Sequence, residues 1–389
     1  MAAALKGGAG REATILVSHS PGEVRTALIE RGSLVEAWIE RPGRPDGVGD
    51  LHRGRVVAIA PAMAGAFVAL AGGETGFLPA SEIGAERRPV RTALQEGMIL
   101  PLRVTRAAQG GKGPRLTARL SPAEAARIAA APPGAPMLIA RGPTAAERLA
   151  RRWPGAVMLV DSPALAARLR PQFPERVRLV PPPAFDDDIE AGFDSLSTAE
   201  SPLPEGGRLL IHPTPALTAI DVDMRAMGDD LAALNRAALP ELARQIRLRN
   251  LAGAILVDFA GLSPQRRAAL EAPLREALAA DPLARLLGFT HLGLAEIVRN
   301  RIHPPLHEVL GLPPSPLTRG LAALREAARE AAARPGAALR LRAAPAIIAA
   351  LRDLPGALEE FAAGAGRPIA LLADPAAASP VVEEARDDV

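Results

Sequence analysis

The sharpest patterning of apolar and polar positions lies between residues 217 and 262, LTAIDVDMRAMGDDLAALNRAALPELARQIRLRNLAGAILVDFAGL. Over 217–223 apolar positions alternate, so a strand is expected with Asp221 and Asp223 on one face. The stretch 251–259 is a fuller apolar run ending in Asp258, as for a strand buried on both faces. Between them Leu239, Leu242 and Ile246 recur at helical spacing, with Arg244, Arg247 and Arg249 mostly turned elsewhere, and Pro240 either kinks this helix or marks its start. A strand, a crossover helix and a second strand favour two parallel neighbours whose acid-bearing ends lie side by side.

Elsewhere the pattern changes in blocks. Residues 12–40 read as strand, helix and strand: ATILVSHS, the PGEVRTALIE segment, then SLVEAWIER. From 41 to 120 about five short alternating runs punctuated by glycine predict a small β-barrel. Ser121-Pro122-Ala123-Glu124 has the form of a capping box and starts a helix. Strand and helix then alternate twice through PMLIAR and AVMLVD, where Asp161 is expected to cap a helix. Residues 181–206 read as a solvated connection in spite of the acids Asp186–Asp188. After Asp258 come an amphipathic helix and the segment LARLLGFTHLGLAEIVRNR. The tail reads as helix, strand, helix and strand, with a frayed EEARDDV end.

Length adds that 389 residues exceed one ordinary core and imply several domains. Cysteine is absent, which excludes disulfides and thiolate metal sites and fits a reducing compartment. No apolar run reaches membrane-spanning length and the N-terminus lacks a signal-peptide pattern, so a cytoplasmic, membrane-free protein is expected. The net charge is only +3. Arginine is nevertheless concentrated at 87–91, 103–119 and 244–249, and acids at 186–190 and in the terminal EEARDD. Arginine binds phosphate bidentately and stacks on bases, so this clustering, rather than the net charge, is the pointer to a polyanion.

Two readings of Asp221 and Asp258 stand side by side on spacing alone. They cap strands and accept loop hydrogen bonds, or, held close, they share a hard cation. Oxygen-only ligands suit Mg²⁺ or Mn²⁺, and such an ion polarises a phosphodiester and activates water. His19 and His212 read as strand or turn residues. His303 and His307 are separated by Pro304 and Pro305, which argues against a helical zinc pair.

The motifs LTAIDVD, ARQIRLRNLAG and ILVDFAGL resemble, in order and spacing, the catalytic signature of the ribonuclease E/G family, endoribonucleases that cut single-stranded RNA. The resemblance implies that Asp221 and Asp258 hold Mg²⁺ and that Asp223 stands where the family has an asparagine supporting the second aspartate. An ionised aspartate cannot donate that hydrogen bond. The run GRV, AFV, GFLP and SEI is similar to an S1-type OB-fold, implying RNA stacking on Phe67 and Phe77 and a basic contact at Lys112; the family's further aromatic is Leu70 here. LGLAEIVRNR is similar to the family's arginine-bearing segment, implying RNA or phosphate contacts at Arg299 and Arg301.

The fold class so implied is multidomain α/β plus a β-barrel. An OB-fold (S1-type) RNA-binding barrel at 41–120 is inserted in a ribonuclease-H-like structural domain at 12–40 and 121–205. A DNase I-like catalytic domain at 206–315 and a C-terminal α/β extension at 316–389 follow. Departures are equally specific. The family's 5′-monophosphate sensor motif is missing, so internal entry on RNA is expected, and LGLPPSPLTRG replaces the family's cysteine pair. No zinc is expected, and any homo-oligomer is not joined through a zinc-cysteine link. The implied function is Mg²⁺-dependent hydrolysis of single-stranded RNA, ribosomal or messenger, to 5′-phosphate ends. The alternative is a catalytically weakened RNA-binding protein of the same fold.

Overall fold

The computed structural model describes residues 13–84, 90–224, 231–259 and 261–385. The chain divides into two compact units: one of Met1–Pro45, Ala145–Asn300 and Pro305–Val389, the other of Asp46–Thr144 with Arg301–Pro304. Together they form a mixed α/β protein with one closed five-stranded β-barrel.

The larger unit contains three sheets. The first is a five-stranded sheet ordered Val177–Leu179, Val157–Val160, Ala13–Ser20, Glu23–Glu30 and Ser33–Glu40. Here the sequence reading is corrected, because the PGEVRTALIE segment is a strand paired antiparallel on both sides and not a helix. Apolar side chains fill both of its faces, Leu28 with Ile15 and Met158 on one and Ala27 and Ile29 with Phe185 and Phe193 on the other. That two-sided burial erases the period of two which marks a half-buried strand. Asp161 is also corrected. Ser162 caps the helix Pro163–Leu169, while the Asp161 carboxylate accepts the amides of His19 at 2.8 Å and Ala184 at 3.0 Å. The acids at 186–188 cap and begin the helix Asp187–Ser195, where the positive end of the helix dipole favours them.

The second sheet, of six strands, runs Glu200–Pro202, Arg208–Pro213, Thr218–Asp223, Gly253–Phe259, Ala295–Arg299 and Ala284–Phe289. The helices Leu231–Leu248 and Glu271–Leu278 lay Leu239, Leu242, Ile246 and Leu274 over one face, against Ile220, Val222, Ile255, Val257 and Phe259. Burying each such side chain is worth about 1.5–3 kcal/mol. The strand Gly253–Phe259 is buried on that face only, since Ala254 and Asp258 are exposed and Leu256 half-buried. The expectation of burial on both faces therefore gives way to a one-sided sheet. Pro240 lies inside the helix Leu231–Leu248 and does not begin it. The third sheet, Ala370–Ala373, Leu339–Ala343 and Val381–Glu384, packs on helices Pro316–Ala333, Pro345–Arg352 and Ala357–Ala365. Residues 386–389 of the terminal acidic run and 87–89 of the first arginine patch lie outside the described residues.

In the smaller unit the strand Leu51–Ala60 pairs with Gly65–Ala69 and Ile99–Arg106. The circle closes through Thr75–Pro79 and Arg115–Thr117. Val56, Ala66, Val68, Leu78, Leu102 and Leu116 fill the interior, as expected of a barrel this narrow. Ser121 and Glu124 form the predicted capping box reciprocally at the start of Pro122–Ala129. That helix and the strand Met137–Ala140, which the sequence reading placed with the following α/β segment, lie with the barrel instead. Met137–Ala140 pairs with the outer edge of Leu51–Ala60.

Candidate functional site

Two groups of side chains carry chemistry, one in each unit. In the larger unit Thr218–Asp223 and Gly253–Phe259 are parallel neighbours, and their register sets Asp221 directly opposite Asp258. Adjacent strands lie about 4.8 Å apart, so two side chains in register on one face are near neighbours. Both carboxylates are exposed on the face that the helices leave open. Asp223 shares that face, and its cross-strand partner Arg208 pairs with it at 3.0 Å and with Glu200 at 3.0 Å.

Electrostatics follow the geometry. Partial desolvation raises the Asp221 carboxyl above the ordinary aspartate value, and the charges of Asp258 and Asp223 raise it further, while His212 and Arg208 pull it back. His212 is in the strand Arg208–Pro213, as expected of a strand residue, and it lies close enough to act on Asp221. Two mutually repelling, solvent-open carboxylates are a donor set that suits a hard cation retaining several of its own waters. Among the described residues no group of three or more histidines, aspartates or glutamates gathers for a metal. Among the described residues the donor set is a pair.

The arginines expected beside this site are differently employed. Arg299 is 4% exposed. Its Nε donates to Asp281 at 2.7 Å, and Nη1 donates to Asn250 Oδ1 at 2.7 Å and to the Leu251 carbonyl at 3.0 Å. It ties together the ends of strands and is not presented to solvent, so the RNA contact read from the sequence is replaced by a structural clamp. The patch at 244–249 is likewise internal. Arg244 binds Glu241 and the Leu34 carbonyl, and Arg247 binds the Val35 carbonyl. Arg249, 4% exposed, holds carbonyls at the end of the helix Asp187–Ser195, and burial lowers it to about 10.

In the barrel unit Phe67 and Phe77 are cross-strand partners on the outer surface, both half-buried, with ring centroids 5.5 Å apart in an edge-to-face arrangement. Gly65 makes this possible, because a Cβ there would run into the Phe77 ring. Leu70, by contrast, is 1% exposed in the barrel core and belongs to no surface. Lys112 is exposed where the chain reverses through Gly110 and Gly111, both at positive φ. Arg301 is half-buried beside the Ala108 carbonyl, near Arg106. His303 pairs with Asp46 at 2.6 Å. Sequence reading missed that Arg106 and Arg115 are cross-strand partners next to Phe77, because a bulge between Val104 and Arg106 sets their register.

Residues 160–302 match the model of the Ribonuclease E/G family. The chain is 27% identical over 386 residues to Ribonuclease E of Escherichia coli (strain K12), covering 74% of this chain and 36% of that protein, little more than a third of its length. It is 26% identical over 400 residues to Ribonuclease G of the same strain, covering 77% of this chain and 82% of that protein. The solution structure of GSP13 from Bacillus subtilis aligns with 23% of this chain and 63% of that chain, at 24% identity and a TM-score of 0.17. Taken with the ordered motifs around Asp221 and Asp258, the match over residues 160–302 and these two relatives make the chain similar to the ribonuclease E/G family.

Proposed function

We propose that the protein is an endoribonuclease that hydrolyses single-stranded RNA in RNA processing or decay, with Asp221 and Asp258 as its metal-holding pair. The observation that carries this reading is the parallel register that sets these two acids side by side on an uncovered sheet face. Mg²⁺, or Mn²⁺ in its place, would be held by Asp221 and Asp258, and when bound supplies Lewis-acid polarisation of the phosphodiester and a water of lowered pKa. Asp223, anchored by Arg208, keeps a third negative charge beside the pair and leaves no amide donor there. Water oxygen joins phosphorus and the bond from phosphorus to the 3′ oxygen breaks, leaving 5′-phosphate and 3′-hydroxyl ends. The barrel takes the role of an S1-type OB-fold, gripping the strand by stacking bases on Phe67 and Phe77 beside Lys112.

One observation favours the rival reading of an RNA holder. The Asp223 carboxylate, at the position of the family's asparagine, is tied to Arg208. The test is incubation of the full chain with a single-stranded RNA oligomer and Mg²⁺, beside Asp221→Asn and Asp258→Asn. Cleavage by the unsubstituted protein alone, with new ends that accept 5′-phosphate-dependent ligation, supports the enzyme. Equal binding by all three with the RNA intact establishes the holder.

A further inference from the structure

The barrel surface carries more than the phenylalanine pair. Register links four consecutive strands in a row, Phe67 to Phe77, Phe77 to Arg115 and Arg115 to Arg106. Leu78 and Leu116 fill the interior as alternate residues, so Phe67, Phe77 and Arg115 project outward; the extra bulge residue Thr105 turns Arg106 to the same outer side, between the buried Val104 and Ala107. Strands lie about 4.8 Å apart, which puts the two guanidinium stems roughly 5 and 10 Å from the Phe77 strand.

Among the described residues, half-buried or buried arginines are commonly engaged, as Arg103 is by Glu124 at 2.7 Å and Arg299 by Asp281. Among the described residues the side chains of Arg106 and Arg115 make no ion pair and no hydrogen bond, although both are half-buried. Desolvation, then the charges of Arg115 and Arg301, hold the Arg106 guanidinium below its ordinary value. Adjacent like charges without a counter-charge cost stability, and an anion seated between them removes the cost.

We propose that Arg106 and Arg115 form a phosphate-binding subsite that receives a phosphodiester next to the base stacked on Phe67 and Phe77, and so set where the RNA strand lies on the barrel. The proposal rests on the RNA-binding reading of the barrel and adds a backbone-reading element to it. Arginine is suited to the role because its planar fork presents two parallel donors to two phosphate oxygens. The interaction carries no base identity. It positions the strand, while the phenylalanines hold bases of any sequence through their faces.

The test is anisotropy titration of a labelled single-stranded RNA oligomer in EDTA, which stops cleavage, over a salt series. The proteins are the full chain, Arg106→Gln, Arg115→Gln, the double variant and Phe67→Leu/Phe77→Leu. The double variant is expected to lose on the order of tenfold in affinity at low salt. Its plot of log K against log salt flattens by about 0.7 for each phosphate that is no longer neutralised. The phenylalanine variant loses affinity with its salt slope unchanged. Because the substitutions relieve repulsion, the double variant's thermal midpoint should not fall. Loss of binding only through the phenylalanines, with the arginine double at full affinity and slope, overturns the subsite and leaves the RNA-binding reading standing. No binding by the unsubstituted chain overturns both.

Discussion

Replacing Arg299 by Met separates a clamp from an RNA contact, because the two roles predict opposite measurements. Arg299 and its partner Asp281 have side chains 5% and 8% exposed, and the guanidinium also holds Asn250 Oδ1 and the Leu251 carbonyl. Methionine keeps much of the volume and none of the donors. The Asp281 carboxylate retains one amide, from Leu283 at 3.0 Å, but its counter-charge is gone. Removing one partner of a buried pair costs about 3–5 kcal/mol, and each orphaned buried acceptor about 1–3 kcal/mol more. Water entry offsets part of this, so a loss near 3 kcal/mol is expected. At 2–4 °C per kcal/mol for a domain of this class, the midpoint falls by roughly 6–12 °C.

The assay has a built-in reporter. The chain's two tryptophans, Trp38 and Trp153, both lie in the larger unit with Arg299, so their fluorescence follows that unit through a denaturant titration. Adding Asp281→Asn to Arg299→Met should recover part of the loss, since it removes the uncompensated charge. An Arg299→Met protein that unfolds with the unsubstituted midpoint but binds RNA more weakly would refute the clamp.

Three further outcomes follow from the same geometry. Burial pushes the Glu190 carboxyl up, but bidentate hydrogen bonds and charge from Arg25, with the charges of Arg329 and Arg325, more than offset it and hold the carboxyl below its ordinary value of 4.5. The depressed acid contributes stability that is complete above 4.5 and is lost as pH falls through the lower folded value. Glu190→Gln should therefore be less stable at neutral pH and show a shallower acid loss, read from unfolding midpoints between pH 3 and 7; parallel curves for both proteins would contradict it. Ser121→Ala removes the capping box at Pro122–Ala129 and should cost about 1 kcal/mol in the barrel unit, with RNA affinity unchanged. Asp223→Asn removes a negative charge close enough to act on Asp221 and so weakens the attraction for a divalent cation; the Mg²⁺ concentration for half-maximal cleavage should rise, and a fall would show that the Asp223 charge does not assist ion binding.

Legibility in the sequence followed how many constraints a residue's position obeyed. The side-by-side placement of Asp221 and Asp258 needed only two strands and a crossover helix, and connection handedness does the rest. The barrel was readable because its strands are half-buried and alternate, and the Ser121 cap because its partners are three residues apart. The strand Glu23–Glu30 was not, since a segment covered on both faces shows no period to distinguish it from a helix. Nor was Arg299, whose partners Asp281 and Asn250 lie 18 and 49 positions away. The bulge that sets Arg106 beside Arg115 is a single extra residue, Thr105, with no mark in composition.

These arginines show why local basic density is a poor guide to where a polyanion binds. The run at 244–249 is among the densest in the chain, yet Arg244, Arg247 and Arg249 all close on carbonyls and a carboxylate of their own unit. An arginine whose donors are taken by internal acceptors has few left for phosphate. Arg106 and Arg115 stand in a sparser stretch and face each other with no acid paired to either among the described residues. What makes a cation available is the absence of an internal partner, which only the register reveals. The same logic runs in reverse on the six-stranded sheet, where Asp221, Asp258 and Asp223 share one open face and Arg208 pairs with the last of them. In the proposed reaction an RNA phosphate brought to that face would meet like charge, which a cation held between the two acids would offset, and both carboxylates are open to solvent.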